Sequence, residues 1–293
     1  MVLIIHYFKV KSNRKPLMPA EQIKHNDEIN RGLTPRKIPS LNRVGLQTLI
    51  GKEIGRFMSV YTQTIVAPMI TTLLFYAVFA LAFGGITRTI GDIPYLTFLA
   101  PGLLMMTMVQ NAFSNTSSSL VIAKVQGNIV DIIMPPLSAT ELYTGFIVGA
   151  IARGAVVGFA VWLIIFVVVG MDVHSIWYIL AFGVLGCMML AILGLLAGIW
   201  SQKFDHIAAV TNFVVTPMTF LSGTFYSVSQ LPPFWDKLAH YNPFFYMIDG
   251  FRFGFIGHAD GNVMIGLVLL IVVNIALSAL ALQMLRTGYK IKS

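Results

Sequence analysis

Charge is what this sequence has least of. Only 11% of its 293 residues are Asp, Glu, Lys or Arg, 56% are hydrophobic, and the mean hydropathy is +0.77. A soluble domain carries about 25% charged residues. A chain this poor in charge cannot build a water-facing surface, so a membrane protein is expected. Cysteine is almost absent. The single Cys187 excludes an intrachain disulfide and a thiolate zinc cluster. Set in an apolar run, it reads as a small packing residue. A secretory signal is not expected either. "MVLII" is five residues long before His6, short of the roughly 7–15 apolar residues a signal core needs.

Sites for chemistry are also missing. "GLQTLIGKE" at 45–53 looks like a P-loop at a glance. Five residues separate its glycines where the motif needs four, and Lys52 is followed by Glu53 rather than Ser or Thr. ATP binding by this chain is therefore not expected. His206 beside Asp205, and the run Ser117-Ser118-Ser119, offer no assembled nucleophile, base and orienting group. No catalytic residue, metal site or cofactor is expected in the chain. Ion-coupled carriers commonly keep ionisable residues within their spans. Here Asp92, Asp131, Glu141, Asp172, Asp205 and Asp260 all fall at span ends or in loops, and only Arg153 sits inside one.

What the chain does have is long uncharged intervals. A spanning helix needs about 20 apolar residues, and the intervals predict six spans near 63–84, 95–116, 142–169, 176–200, 207–228 and 262–285. The net charge of +8 points to the membrane surface rather than to nucleic acid, because 11 of the 20 Lys and Arg residues lie in residues 1–56. Six spans place both termini on one side. With that side cytoplasmic, sixteen basic residues lie inside and three outside (Arg88, Lys237 and Arg252), as the positive-inside rule requires.

Residues 1–43 hold four prolines and many charges and read as an irregular basic tail. Residues 44–60 carry an apolar stripe of Leu46, Leu49, Ile50, Ile54, Phe57 and Met58. That stripe predicts an amphipathic helix in the inner interface. In the cytoplasmic link after span two, 120–134 is predicted as a short helix stopped by Pro135-Pro136, and Ser138 to Glu141 as a capping box. On the outer side, 226–258 is too interrupted to span and too aromatic to be solvated. Pro232-Pro233 and Asn242-Pro243 divide it into short helices. It reads as a re-entrant hairpin, because irregular backbone at membrane depth must be satisfied by protein or a wet cavity. Asp249 and Arg252, three apart, are expected to pair as a surface ion pair worth about 0–1 kcal/mol. The polar run from Asn111 to Ser119 closes backbone hydrogen bonds or lines a polar path. Arg153 faces a cavity or snorkels.

Three stretches together resemble the ABC-2 type permease family, the membrane subunits of bacterial ATP-driven exporters. They are "PGLLMMTMVQNAFSNTSSSL", "IMPPLSATELYTG" and "LSGTFYSVSQLPPFWDKLAHYNPFFYMIDGFRFGFIG". The resemblance covers about residues 41–290. It implies an all-α integral membrane domain over 44–293, with six spans, an interfacial helix and an extracellular hairpin. It implies a permease subunit of the bacterial inner membrane, not an enzyme, with a second permease chain (a homodimer) and two copies of a separate ATPase that would bind ATP and magnesium. It likens 120–134 to the family's coupling helix, and because these are the substantial inner loops, ATPase coupling is expected at Lys124, Asp131, Lys203, Phe204 and Asp205. With the hairpins as the family's outer gate, the path or gate is expected at Asn111, Asn115, Arg153, Phe225, Tyr226, Asp249 and Arg252. A self-powered carrier or channel and a membrane assembly factor without transport are the other classes open to such a chain. Co-purification of an ATPase separates them.

Overall fold

A computed structural model describes residues 41–83, 89–170 and 172–290. The expected tail, up to residue 40, lies outside the described residues, as do Arg88 and Lys292. The chain opens with α1 (Arg43–Ser59), and a π-helical turn at Thr62–Val66 leads into α2 (Ala67–Phe83). A small hairpin pairs β1 (Thr89–Ile90) with β2 (Ile93–Pro94), antiparallel, with Ile90 opposite Ile93. Then come α3 (Tyr95–Val125), the short α4 (Ile129–Ile133), α5 (Ala139–Val169) and α6 (Ile176–Trp200). A run of three contiguous helical pieces follows, comprising α7 (Phe204–Val210), a π turn at Thr211–Val215 and α8 (Thr216–Phe220). Last are a 3-10 turn (Val228–Gln230), α9 (Pro233–His240), α10 (Pro243–Ile256) and α11 (Val263–Thr287).

Among the described residues, five helices are long and apolar enough to cross a membrane: Thr62–Ala82, Tyr95–Val125, Ala139–Val167, Ile176–Trp200 and Val263–Thr287. They correspond to expected spans one, two, three, four and six. The fifth differs. In place of 207–228, a continuous run of helical residues with a π turn at its middle occupies α7 to α8, in pieces of seven, five and five residues. At 1.5 Å per residue it is about 25 Å long, against a hydrocarbon core of about 30 Å. It stops at Phe220, and Gly223, at φ +74, turns the chain away. The absence of charge as far as Asp236 had concealed that ending. The expected helix at 120–134 also divides. Leu120–Val125 belongs to the end of α3, and only Ile129–Ile133 is separate. Gly127 sits between them at φ +75, in a region that non-glycine residues rarely enter.

α3 and α6 form the centre of the bundle. Phe98, Leu99, Ala100, Met105, Val109 and Ala112 of α3 are buried against Phe182, Leu190, Ile192 and Leu195 of α6 and the inner face of α5. Thr116 Oγ1 donates to Ala191 O at 2.8 Å, joining α3 to α6. α2 and α11 lie at the rim and turn Leu74, Val78, Val268 and Ile275 outward.

α1 does not stand apart as an interface helix. Leu49 meets Gly145 and Glu53 meets Gly149, so α1 runs alongside the first turns of α5 in the same direction. Their starts are tied together. Ser138 N donates to Glu141 Oε2 at 2.6 Å in the capping box, and Asn42 N donates to Glu141 Oε1.

Gly102 of α3 lies close against the irregular segment. A Cβ there would lie 2.6 Å from Thr224 O. Gly102→Val is expected to lower stability by about 1–3 kcal/mol through forced backbone movement. It should be read as a lower unfolding midpoint of the purified protein. Gly51→Ala on α1, where a Cβ meets nothing within 4 Å, should hold the midpoint or raise it.

Candidate functional site

The outer cluster begins with α10. Pro243 opens the helix and Asn242 caps it, its Oδ1 accepting from Phe244 N at 3.0 Å. Residues 244–252 are all buried, including Asp249 and Arg252 at 2% and 1% exposure. The Arg252 guanidinium donates from Nε to Phe98 O (3.2 Å) and from Nη2 to Gly223 O (2.5 Å). Its Cζ lies 3.7 Å from the centre of the Phe98 ring. Nη1 stands 3.7 Å from Asp249 Oδ1. Asp249 in turn accepts from Asp260 N and Gly261 N, each at 2.9 Å. Asp260 accepts from Ser227 Oγ and Val228 N, each at 2.8 Å. Tyr95 OH donates to Phe225 O at 2.9 Å. Buried side chains thus bond the irregular backbone between α8 and α9, and the link before α11.

The expected surface ion pair is therefore a buried one, and the expectation of 0–1 kcal/mol falls with it. Spacing of three residues on a helix brings two side chains together but does not say which face they share. Here all faces of α10 are covered. The other two expected gate residues flank this cluster. Phe225 stacks on Phe79 and Phe220, centres 5.0 Å apart in each case. Tyr226 borders a cavity of about 510 Å³ with Met218, Leu231, Trp235 and Tyr241.

A second polar cluster lies where α1, α3 and α5 meet. Glu53 is fully buried. It accepts from Ser119 Oγ (2.7 Å), Arg56 Nη2 (2.9 Å) and Asn115 Nδ2 (3.4 Å). Arg56 also donates to Asn115 O (2.8 Å), Asn115 Oδ1 (3.0 Å) and Ser118 Oγ (3.2 Å). One turn along α3, Asn111 Oδ1 accepts from Arg153 Nη2 at 3.0 Å. Arg153 thus meets Asn111, while Asn115, one turn along, meets Arg56 and Glu53. The run from Asn111 to Ser119 also closes backbone bonds, since Asn111, Thr116, Ser117 and Ser118 donate to carbonyls three or four residues back. Glu53 and Arg56 were absent from the sequence-based site. Their signal was present: Leu49, Glu53 and Phe57 are four apart, so Glu53 occupies the middle of the apolar stripe.

At the end of the bundle where α3 and α6 finish, the residues expected to couple to an ATPase separate. Lys124 Nζ turns inward and donates to Gly198 O (3.0 Å), Ile199 O (2.5 Å) and Ser201 O (3.1 Å), closing the C-terminus of α6. An ammonium group is favoured at that end of a helix. Asp131, Lys203, Phe204 and Asp205 face outward, and so do the apolar Val130 and Met134. Among the described residues, no three His, Cys, Asp or Glu side chains gather as metal ligands would.

A sequence model described as ABC-2 type transporter matches residues 44–256. The chain is 37% identical over 250 residues to the inner membrane transport permease YadH of Escherichia coli strain K12, a match covering 85% of this chain and 98% of YadH. It is 24% identical over 190 residues to nodulation protein J of Sinorhizobium fredii, covering 64% and 72%. It is 22% identical over 176 residues to nodulation protein J of Neorhizobium galegae, covering 60% and 67%.

Arg252→Met and Asp249→Leu are each expected to destabilise by about 3–5 kcal/mol, the range for breaking a buried pair. A pair that satisfied only itself would regain much of that loss when both members are replaced by apolar residues. Here Phe98 O, Gly223 O, Asp260 N and Gly261 N also depend on it. The double variant should recover nothing in thermal unfolding. Recovery to near the parent midpoint would count against this account.

Proposed function

This chain belongs to the ABC-2 type transporter family, and we propose that it is the transport permease subunit of an ATP-driven exporter in the bacterial inner membrane. Two copies pair, and two copies of a separate ATPase bind beneath them. ATP and magnesium bind on that ATPase and not on this chain. Residues 44–293 form one transmembrane domain behind a basic cytoplasmic tail, residues 1–43. Both termini are cytoplasmic. The run from Phe204 to Phe220 serves as the fifth of six spans. The observation that carries this reading is the backbone break after Phe220, set among apolar side chains and bonded by Arg252, Tyr95 and Asp260. Unpaired backbone is not tolerated in lipid, and a segment secured in this way can sit in the outer leaflet. With α9 and α10 it forms a re-entrant hairpin, and Phe225 and Tyr226 border the exit.

Coupling runs through the outward-facing group Asp131, Lys203, Phe204 and Asp205. Lys124 contributes by holding α3 to the end of α6, a positioning role rather than a contact. The polar cluster of Asn111, Asn115 and Arg153 lines the inner part of the path.

Two measurements test these assignments. Co-expressed with its ATPase, the chain should co-purify as a two-plus-two complex. Asp131→Lys or Phe204→Glu should weaken that association by about tenfold, or about 1.4 kcal/mol, with membrane insertion intact. Unchanged association in both variants would remove the docking assignment. For the hairpin, cysteines are introduced one at a time in a Cys187→Ala background and treated from outside with an impermeant thiol reagent. Positions 229 and 259 should react, and 235 to 238 should be shielded by lipid. Uniform reaction from 229 to 259 would make the segment an ordinary external loop.

A further inference from the structure

α5 and α6 meet at one level and part beyond it. A Cβ on Gly154 would lie 2.8 Å from Cys187 Sγ, so the two helices touch there. From that contact toward the link that joins them, a cavity of about 360 Å³ lies between them. The cause is a third helix. His174 N donates to Phe255 O at 3.1 Å and Ser175 N to Gly254 O at 2.7 Å. A Cβ on Gly254 would come within 2.6 Å of Ile179 Cγ1. The start of α6 is thus fastened to the end of α10 and drawn away from α5. Buried Gly158, Gly183 and Phe251 form the floor of the cleft with Met108. Phe159, Ile176, Leu180 and Val184 form its exposed rim. Trp162 is held against Phe166, ring centres 5.4 Å apart, as one wall.

The shape and chemistry of the cleft select its occupant. Its lining runs from Ile176 to Cys187 on α6 and from Ile151 to Trp162 on α5. Each stretch is about 16 Å of helix, close to half of a hydrocarbon core about 30 Å thick. α6 begins at the membrane face where α5 ends. Cys187 therefore stands near the mid-plane, and the cleft is one leaflet deep. Over that length the volume leaves about 22 Å² of cross-section. A helix from a second copy, about 10–12 Å across, cannot enter it. No lining side chain carries a charge, a hydroxyl or an amide, so ordered water would lack the polar partners it needs. An empty cleft would leave its lining without dispersion contacts on one side. One extended hydrocarbon chain fits the length, the width and the lining together.

We propose that the cleft between α5 and α6 binds a single acyl chain of a bilayer phospholipid. The headgroup lies at the link between the helices, and the chain end rests against Cys187. Recognition is by the chain and not by the headgroup, since the lining offers no polar side chain to hold one. The bound chain supplies the packing that α5 and α6 do not give each other over this half of their length. The site requires neither an ATPase nor transport, so it can fail while the transport reading stands.

The test uses the full chain in phosphatidylcholine liposomes. A phosphatidylcholine with a photoactivatable diazirine at the end of one acyl chain is added in increasing proportion, and labelled residues are mapped by mass spectrometry. A second probe carries the diazirine beside the ester. The chain-end probe should mark Cys187 and Ala155, and the ester probe Val173 and Ile176. Labelling at these positions should saturate as the probe fraction rises. Labelling of the outward-facing Val78 and Val268 on α2 and α11 should rise in proportion, as for lipid that merely surrounds the protein. Ala155→Phe fills the cleft from its rim and should lower labelling at Cys187 by about tenfold, or about 1.4 kcal/mol, with Val78 and Val268 unchanged. Val184→Phe narrows it from the opposite helix and keeps the test decisive if the first variant does not insert. Absence of labelling at Cys187 would mean that the cleft is closed or covered by another protein, and would overturn the proposal. So would labelling there that never saturates, or that is unchanged in both variants.

Discussion

A backbone that stops being helical inside an apolar bundle leaves its amide and carbonyl groups without water. Each must find a protein partner, and the cluster around α10 is organised by that requirement. Arg252 is the principal solution. One guanidinium takes a carbonyl from α3 and another from the turn at Gly223, rests on the Phe98 ring and faces Asp249. Through Asp249 and then Asp260 the same set of bonds reaches the link before α11 and the turn at Val228. Gly102 has no side chain, so α3 can come close enough to Thr224 for this to happen.

The second cluster uses the same chemistry with different helices. Glu53, a charge on an otherwise apolar stripe, is stable because α3 presents Asn115 and Ser119 to it and Arg56 reaches the same carboxylate. α3 therefore carries the acceptors and donors for both clusters, Phe98 near its start and Asn111 to Ser119 further along. Its central position follows from that double duty as much as from its buried apolar faces.

Much of this could be read from residues alone, and the boundary of legibility is physical. Uncharged intervals located five of the spanning helices because hydrocarbon length and charge exclusion are local properties of a sequence. The capping box at Ser138 and the helix starts at Pro233 and Pro243 were legible for the same reason. Where the helix through Val215 would stop was not, since no charge marks Phe220 and the decision belongs to Gly223. Nor was the division of 120–134 by Gly127. The inward turn of Lys124 toward α6 and the burial of Arg252 depend on neighbours 29 to 154 positions away, and Asp249 is held by backbone 11 and 12 positions on. Spacing along one helix contains nothing about them. Glu53 marks the border: its position on the apolar stripe was visible, but its partners were not.

The pairing of α1 with α5 has a mechanical side. Two helices lying in the same direction, fastened at their starts by Asn42 and Glu141 and again several turns later at Glu53, resist bending far better than either alone. They form a stiff strut whose lower end receives both the chain arriving at Leu41 and the link from α4. A force applied at either point is delivered to the same joint. It travels up the strut to the neighbourhood of Arg153 as a displacement of the whole rod, with little lost to flexing on the way.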